Sequence, residues 1–287
     1  MQISSLFKGD KTVFSLEVFP PKKSQGGINT IYKTLDGLSE ISPDFISCTY
    51  GAGGNTADLS TVEICSIIKE KYNITPLAHL TCVNSVKSDI DYILSCLKDK
   101  GVENILALRG DKKPDVEPKH DFQYAYELIE YIKKDWDFSI SSVCYPECHP
   151  ECDSLYDDIM HLKAKVDCGA EHIISQLFFD NKCFYEFVEK ARLAGVNVPI
   201  EAGIMPIVNK SQIERMVSLC GASIPPKFAK MMSRFGDNPE AIRDAGIAYA
   251  IDQIVDLITN GVDGIHLYTM NNPYVAKRIF DAIDNLR

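Results

Sequence analysis

Short apolar and β-branched runs alternate along this chain with longer stretches of helical period. The runs occupy residues 12–18, 45–50, 77–83, 104–108, 138–145, 172–179, 200–207 and 264–270. Each is followed by apolar residues recurring at three- and four-residue steps, the spacing of one buried helix face. Ile28, Ile31, Tyr32, Leu35 and Leu38 form one such face. Ile90, Ile93, Leu94 and Leu97 form a second, and Leu155, Ile159, Leu162 and Val166 a third. Gly101, Gly169, Gly195 and Gly261 close helical segments where a left-handed residue is wanted. Runs buried on both faces and joined by helices indicate a parallel sheet. Eight such units predict an α/β chain folded as a closed (β/α)8 TIM barrel over residues 1–287, with an open doubly wound sheet as the alternative.

The seventh connection is too long for one barrel helix. More than fifty residues separate Ile207 from Gly264, with helical pieces near 212–219, 227–234 and 239–259. Pro225, Pro226 and Gly236 divide them. The pattern predicts a barrel helix preceded by an inserted helical layer, not a second domain. The most loop-like stretch is 111–120, directly after the fourth strand, on the face where barrels carry their function.

Composition narrows the setting. Of 287 residues, 45% are apolar and 24% charged, as in ordinary globular proteins. A net charge of -10 argues against nucleic-acid or anionic-membrane partners, which need a basic face. No apolar run approaches the ~20 residues of a membrane span, and no secretory signal opens the chain. A cytoplasmic location is therefore expected, and the ten cysteines are expected to be free thiols in place of disulfides.

In a barrel the C-terminal strand ends converge on one mouth. There the sequence places Glu17, Thr49, Tyr50, His79, Arg109, Asp111, Tyr145, Glu147, His149, Gln176 and Tyr268. Solvated loop residues account for any one of these, but not easily for the whole set. Glu17 lies within an apolar strand stopped by Pro20 and Pro21, so desolvation is expected to raise its pKa and suit it to general acid work. The alternative is a glutamate paired with Arg109 or a lysine across the barrel. After Arg109, Gly110 permits close backbone approach to a ligand.

Two motifs are weaker. Residues 51–56 look superficially like a dinucleotide fingerprint, but Thr56 stands at the third glycine position and no acid ends the next strand. Cys144, Cys148, His149 and Cys152 have metal-ligand chemistry, yet they include no C-x-x-C pair and are interrupted by two prolines. No metal site is assigned, and free thiols beside a cofactor are expected there.

The strings LEVFPPK at 16–22, CTYGAGG at 48–54, AHLTC at 78–82, ALRGD at 107–111, YPECHPE at 145–151, LKAKVDCGA at 162–170, SQLFFD at 175–180 and GIMPI at 203–207 fall in order. Over about residues 12–270 the chain resembles the catalytic domain of the methylenetetrahydrofolate reductases, of the bacterial single-domain, FAD-dependent type. The resemblance implies a flavoprotein oxidoreductase of one-carbon metabolism and methionine biosynthesis. Such an enzyme reduces 5,10-methylenetetrahydrofolate to 5-methyltetrahydrofolate by ping-pong hydride transfer from NADH or NADPH through non-covalent FAD. It also implies a homo-oligomer. Glu17 matches the general acid that protonates folate N10, and Asp111 an aspartate near flavin and pterin. Thr49, Tyr50, Ala52, His79, Arg109, Gly110, Asp111, Ala125, Tyr145, His149, Asp158, His161 and Lys165 match flavin-contact positions. Glu17, Asp111, Gln176, Gln212 and Tyr268 match substrate contacts.

Three positions depart from well-known bacterial relatives. His161 and Ala164 stand in place of asparagine and arginine in the helix matched to flavin binding, and Asn272 in place of an arginine able to meet the folate tail. The chain stops one helix after the eighth strand, so the regulatory domain of eukaryotic relatives is not expected. Alternatives are a folate-handling barrel methyltransferase without flavin, a non-catalytic scaffold, or a barrel subunit receiving electrons from a ferredoxin or iron–sulfur partner protein.

Overall fold

A computed structural model describes residues 1–21, 27–50, 59–111, 117 and 119–287, with backbone alone at 212, 214, 215 and 219. Eight parallel strands close into a barrel in sequence order. They are β1 (Val13–Val18), β2 (Phe45–Cys48), β3 (Thr75–Thr81), β4 (Asn104–Leu108), β5 (Ser139–Cys144), β6 (His172–Ser175), β7 (Ile200–Ile204) and β8 (Gly264–Tyr268). The first and last strands pair directly, with Ser15 opposite His266 and Glu17 opposite Tyr268. The open-sheet alternative is thereby excluded.

The outer ring comprises α1 (Asn29–Ser39), α2 (Ser60–Tyr72), α3 (Lys87–Asp99), α4 (Ala125–Asp135), α5 (Leu155–Asp167), α6 (Asn181–Leu193) and, after the seventh strand, α7 (Lys210–Cys220), α8 (Pro226–Phe235) and α9 (Pro239–Thr259). A final helix, α10 (Pro273–Ile283), follows β8. The four helix-closing glycines all take left-handed φ, between +63° and +116°. Helix α9 shows why the inserted layer ends where it does. Asn238 caps it by accepting from the Glu240 and Ala241 amides, and Pro239 occupies the first turn, where no amide partner is needed. The helix then packs so close to the end of β7 that a Cβ at Gly246 would lie 1.7 Å from the Ile207 carbonyl oxygen. None of the described helices is long and apolar enough to cross a membrane.

Several strands end earlier than the apolar runs suggest. β2 stops at Cys48 instead of residue 50, and β6 at Ser175 instead of 179. The surplus apolar residues pack outside the ladder: Leu177 and Phe179 join Phe228 and Ile242 in a second core beneath the inserted helices. Hydrophobicity marks burial, and burial here outlasts strand pairing.

Inside the barrel, Val13, Phe45, Leu77, Leu106 and Ile174 form a core with Ile3 from an N-terminal 3-10 turn, Ile3–Lys8. That turn closes the barrel floor. The Ile3 amide donates to Asn104 Oδ1 at 2.9 Å, and the Phe7 ring stacks on His172 with centroids 4.7 Å apart. With the bottom closed, any small ligand must enter from the strand C-termini.

Candidate active site

A cavity of about 1140 Å³ opens at the C-terminal face. It exceeds the roughly 300–1,000 Å³ of a single small-molecule site, leaving room for a cofactor and a substrate together. Glu17, Thr49, Tyr50, His79, Arg109, Gly110, Asp111, Ala125, Tyr145, His149, Asp158, His161, Lys165, Gln176 and Tyr268 all line it. Ala52 lies outside the described residues, as does the side chain of Gln212. Glu147 does not line the cavity; its carboxylate accepts from the Ser223 amide at 3.1 and 3.2 Å.

Glu17 sits at the deep end, its side chain 18% exposed. Its backbone carbonyl accepts from Thr269 Oγ1, just beyond the end of β8, at 2.6 Å. Asn271 braces the same segment by bonding both the amide and the carbonyl of Phe19. Among the described residues, the carboxylate faces neither Arg109 nor a lysine. Oε2 lies 3.6 Å from His79 Nε2 and 3.6 Å from His266 Nε2. Burial holds the His79 pKa down, to about 4, against the pull of Glu17. His79 is therefore neutral at pH 7, and Glu17 meets an uncharged imidazole.

Towards the rim the chemistry becomes cationic. Lys165 reaches from α5 to the Val143 carbonyl, and desolvation lowers its pKa. The Glu151 amide donates to His149 Nδ1 at 3.0 Å, so in its neutral form His149 carries its proton on Nε2. Burial, with Arg109 nearby, depresses the His149 pKa. Ser154 caps α5 by accepting from the Asp157 amide, and Asp158 Oδ2 accepts from the His149 amide at 2.9 Å, tying the β5 loop to the helix. Gly110 has φ +83°, and a Cβ there would lie 2.9 Å from Thr81 Cβ, so only glycine leaves the β4 end in this shape.

Arg109 is engaged by Glu151. Tyr124, Glu151, Met205 and Met216 also line the cavity, although the sequence reading did not single them out for it, and Cys152 lines it too. Tyr124 immediately precedes Ala125 and lies over His161 at 6.3 Å between centroids, a signal only three-dimensional proximity supplies.

All ten cysteines are free. The run from 144 to 152 does not act as one ligand set. Cys144 is buried in the core, and burial pushes its thiol pKa up, which suits an inert apolar side chain. Cys148 Sγ points to the carbonyls of His149 and Cys152. Cys152 instead approaches α5, where its ligand atom and those of Asp158 and His161 lie within 4.8 Å of one another.

The profile described as methylenetetrahydrofolate reductase matches residues 2–284. The chain belongs to the methylenetetrahydrofolate reductase family. It is 36% identical over 285 residues to methylenetetrahydrofolate reductase (NADH) 1 of Arabidopsis thaliana, covering 94% of this chain and 48% of that protein. It is 35% identical over 265 residues to the 5,10-methylenetetrahydrofolate reductase of Escherichia coli (strain K12), covering 92% and 88% respectively. The chain thus spans about half the length of the plant relatives and most of the bacterial one. A Clostridium thermocellum protein described as binding two copies of 5-methyl-5,6,7,8-tetrahydrofolic acid shares the fold at TM-score 0.65 and 16% identity, over 96% of this chain and 95% of that one. Xanthomonas albilineans dihydropteroate synthase shares it at TM-score 0.56 and 10% identity, over 96% and 93%.

Among the three positions expected to depart from bacterial relatives, Asn272 has a local role. Its side chain accepts from the Val275 amide at 3.3 Å, capping α10. His161 is exposed at the cavity rim. Ala164 lies on α5 but does not line the cavity.

Proposed function

We propose that this chain reduces 5,10-methylenetetrahydrofolate to 5-methyltetrahydrofolate, with FAD as cofactor and NADH or NADPH as electron donor. The observation that carries the reading is the convergence of Glu17, Asp111, Gln176 and Tyr268 on the cavity that also receives the described flavin-matched positions. Family membership and the names of the relatives support the substrate. The NADH in the plant relatives' names favours NADH.

The cavity suits FAD in its chemistry. Lys165 and Arg109 offer positive charge for a pyrophosphate, His149 offers an Nε2 donor, and Gly110 leaves the backbone open to close approach. When bound, FAD supplies the two-electron carrier between nicotinamide and folate. The chain's own residues do the rest. Glu17, deep in the cavity between two imidazoles, holds the proton delivered to folate N10. Gln176 and Tyr268 flank the substrate from β6 and β8, and Asp111 stands at the β4 end for the pterin.

The purified protein should be yellow or take up FAD. Anaerobic addition of NADH, NADPH or reduced ferredoxin should then bleach the flavin, and methylenetetrahydrofolate should restore its colour. A protein that takes up no FAD would overturn the reading. Bleaching by ferredoxin alone would retain the folate reaction and replace the donor.

A further inference from the structure

Below Glu17, a chain of polar side chains runs down the inside of the barrel. His266 Nε2 lies 3.6 Å from Glu17 Oε2, and His266 Nδ1 lies 2.7 Å from Ser15 Oγ. Ser15 Oγ donates to Glu201 Oε1 at 3.0 Å. Glu201 Oε2 lies 3.0 Å from His172 Nε2, and His172 Nδ1 lies 2.9 Å from Ser141 Oγ. Ser15, Ser141, His172, Glu201 and His266 are all at most 1% exposed. The β1–β8 register places Ser15 opposite His266, and the β7–β8 register places Glu201 opposite Gly264, where a larger residue would strike the Glu201 side chain.

Burying a carboxylate this deeply is costly unless it is paired and hydrogen-bonded. Glu201 has its hydrogen bond from Ser15 and an ion-pair contact with His172 that lacks hydrogen-bond alignment, a polar group that apolar residues of similar volume could replace. The groups facing it are few. Phe45 covers both imidazoles, with ring centroids 6.0 Å from His172 and 6.3 Å from His266. Phe7 stacks on His172, and Tyr268 meets His266 edge-on at 5.2 Å. Among the described residues, His172 provides the group able to carry positive charge against Glu201.

The directions of the hydrogen bonds then follow from proton counting. A serine hydroxyl has one proton. If Ser15 gives it to ionised Glu201, Ser15 must accept at its other contact, so His266 carries a proton on Nδ1. The Nε2 atom of a neutral His266 is then a lone pair aimed at Glu17. A lone pair 3.6 Å from a carboxyl oxygen, just beyond hydrogen-bond distance, favours the protonated carboxyl, which can close on it and donate, over the carboxylate, which cannot. If Glu201 were instead the protonated partner, every bond would reverse. His266 would present Nε2–H, and Glu17 would be held as the carboxylate.

We propose that Glu201, seated against His172, is a positioning residue that accepts from Ser15, sets the His266 tautomer and so presents His266 Nε2 as the acceptor facing the Glu17 carboxyl. The role rests on the folate-reductase reading, in which Glu17 delivers a proton. Glu201 itself touches neither substrate nor cofactor. It acts from the barrel floor, two side chains away from the acid.

The test is selective 15N-histidine labelling of the full chain with FAD added, with the tautomer read from long-range 1H–15N correlations. Wild type should show His266 protonated at Nδ1 and bare at Nε2. E201L removes the acceptor, and His266 should shift to Nε2–H. S15A, which leaves the Glu201–His172 pair in place, should do the same and serves if E201L fails to fold. E201Q keeps an oxygen able to accept from Ser15 and should retain the wild-type tautomer. In half-reaction kinetics, S15A and E201L should slow folate reduction about tenfold or more, with nicotinamide oxidation within about twofold of wild type. Wild-type His266 protonated at Nε2, or a tautomer indifferent to both variants, would overturn the proposal. So would an altered tautomer with unchanged folate reduction. The expected tautomers in a protein without folate reductase activity would instead refute the functional reading and leave the buried chain's polarity standing.

Discussion

Arg109 is gripped by Glu151 through two hydrogen bonds, Nη1 to Oε2 at 3.1 Å and Nη2 to Oε1 at 2.7 Å. The pair lines the cavity, and it engages one of the two cations proposed for the cofactor pyrophosphate. A bound phosphate must therefore compete with Glu151 for the guanidinium. Replacing Glu151 with glutamine weakens that competitor while keeping its shape. Glu151 is half in solvent, so its hold on Arg109 is worth at most ~1 kcal/mol, about fivefold in binding. E151Q should bind FAD or ADP up to about fivefold more tightly by calorimetry at low salt, with the difference shrinking as salt rises. Weaker binding would mean that Glu151 orients Arg109 for the phosphate and does not compete with it.

Glu17→Gln separates proton delivery from electron supply. The amide retains the size of the carboxyl and cannot act as an acid. Folate reduction should fall by about 10²–10⁴-fold, the range general acids contribute. Flavin bleaching by the nicotinamide should stay within about threefold of wild type, because that half-reaction calls for no protonation of N10. Rapid mixing measures both halves on one preparation. Wild-type folate reduction in the variant would remove Glu17 from its role.

The eight strand–helix units were legible because burial on both sheet faces and a 3.6 period are local signals. Helix α9 illustrates this: its cap, its proline and its apolar face all lie within the segment that folds, and its bounds match the pattern at both ends. The mouth residues were legible for a related reason, since a closed barrel sends every strand end to one place. The polar interior was not. Ser15, His172, Glu201 and His266 occur on four different strands, in runs that read simply as apolar, and only the inter-strand register brings them together. The tie on Arg109 was hidden for the opposite reason. The arginine's charge was plain in the sequence, but Glu151 lies 42 residues on, in a loop whose path no local pattern reveals.

The N-terminal turn gives a stability prediction independent of function. Ile3 is fully buried in the barrel's inner core, and its amide bonds Asn104. Isoleucine-to-alanine changes at such sites cost about 2–5 kcal/mol, from lost burial and the cavity left behind. Ile3→Ala should lower the urea midpoint accordingly, with little change in the denaturant slope. A shift equivalent to less than about 1 kcal/mol would show that the turn packs on the floor without closing it.

His79 supplies a pH signature. Its ordinary pKa is 6.5, and burial lowers it to about 4 in the folded protein. Between those values the unfolded chain binds a proton that the folded chain refuses. Stability is therefore complete above about pH 6.5, falls as pH drops, and levels off near pH 4. At ~1.4 kcal/mol per pH unit, the loss by pH 4.5 is of order 2–3 kcal/mol. Other groups titrate over the same range, so the decisive quantity is the difference between wild type and His79→Gln, which keeps a polar side chain without the titration. Urea unfolding from pH 7 to 4.5 should show wild type losing about 2 kcal/mol more than the variant. Parallel curves would mean that His79 gains its proton in the folded state as readily as in the unfolded one, with Glu17 then sharing a charged imidazole and not a neutral one.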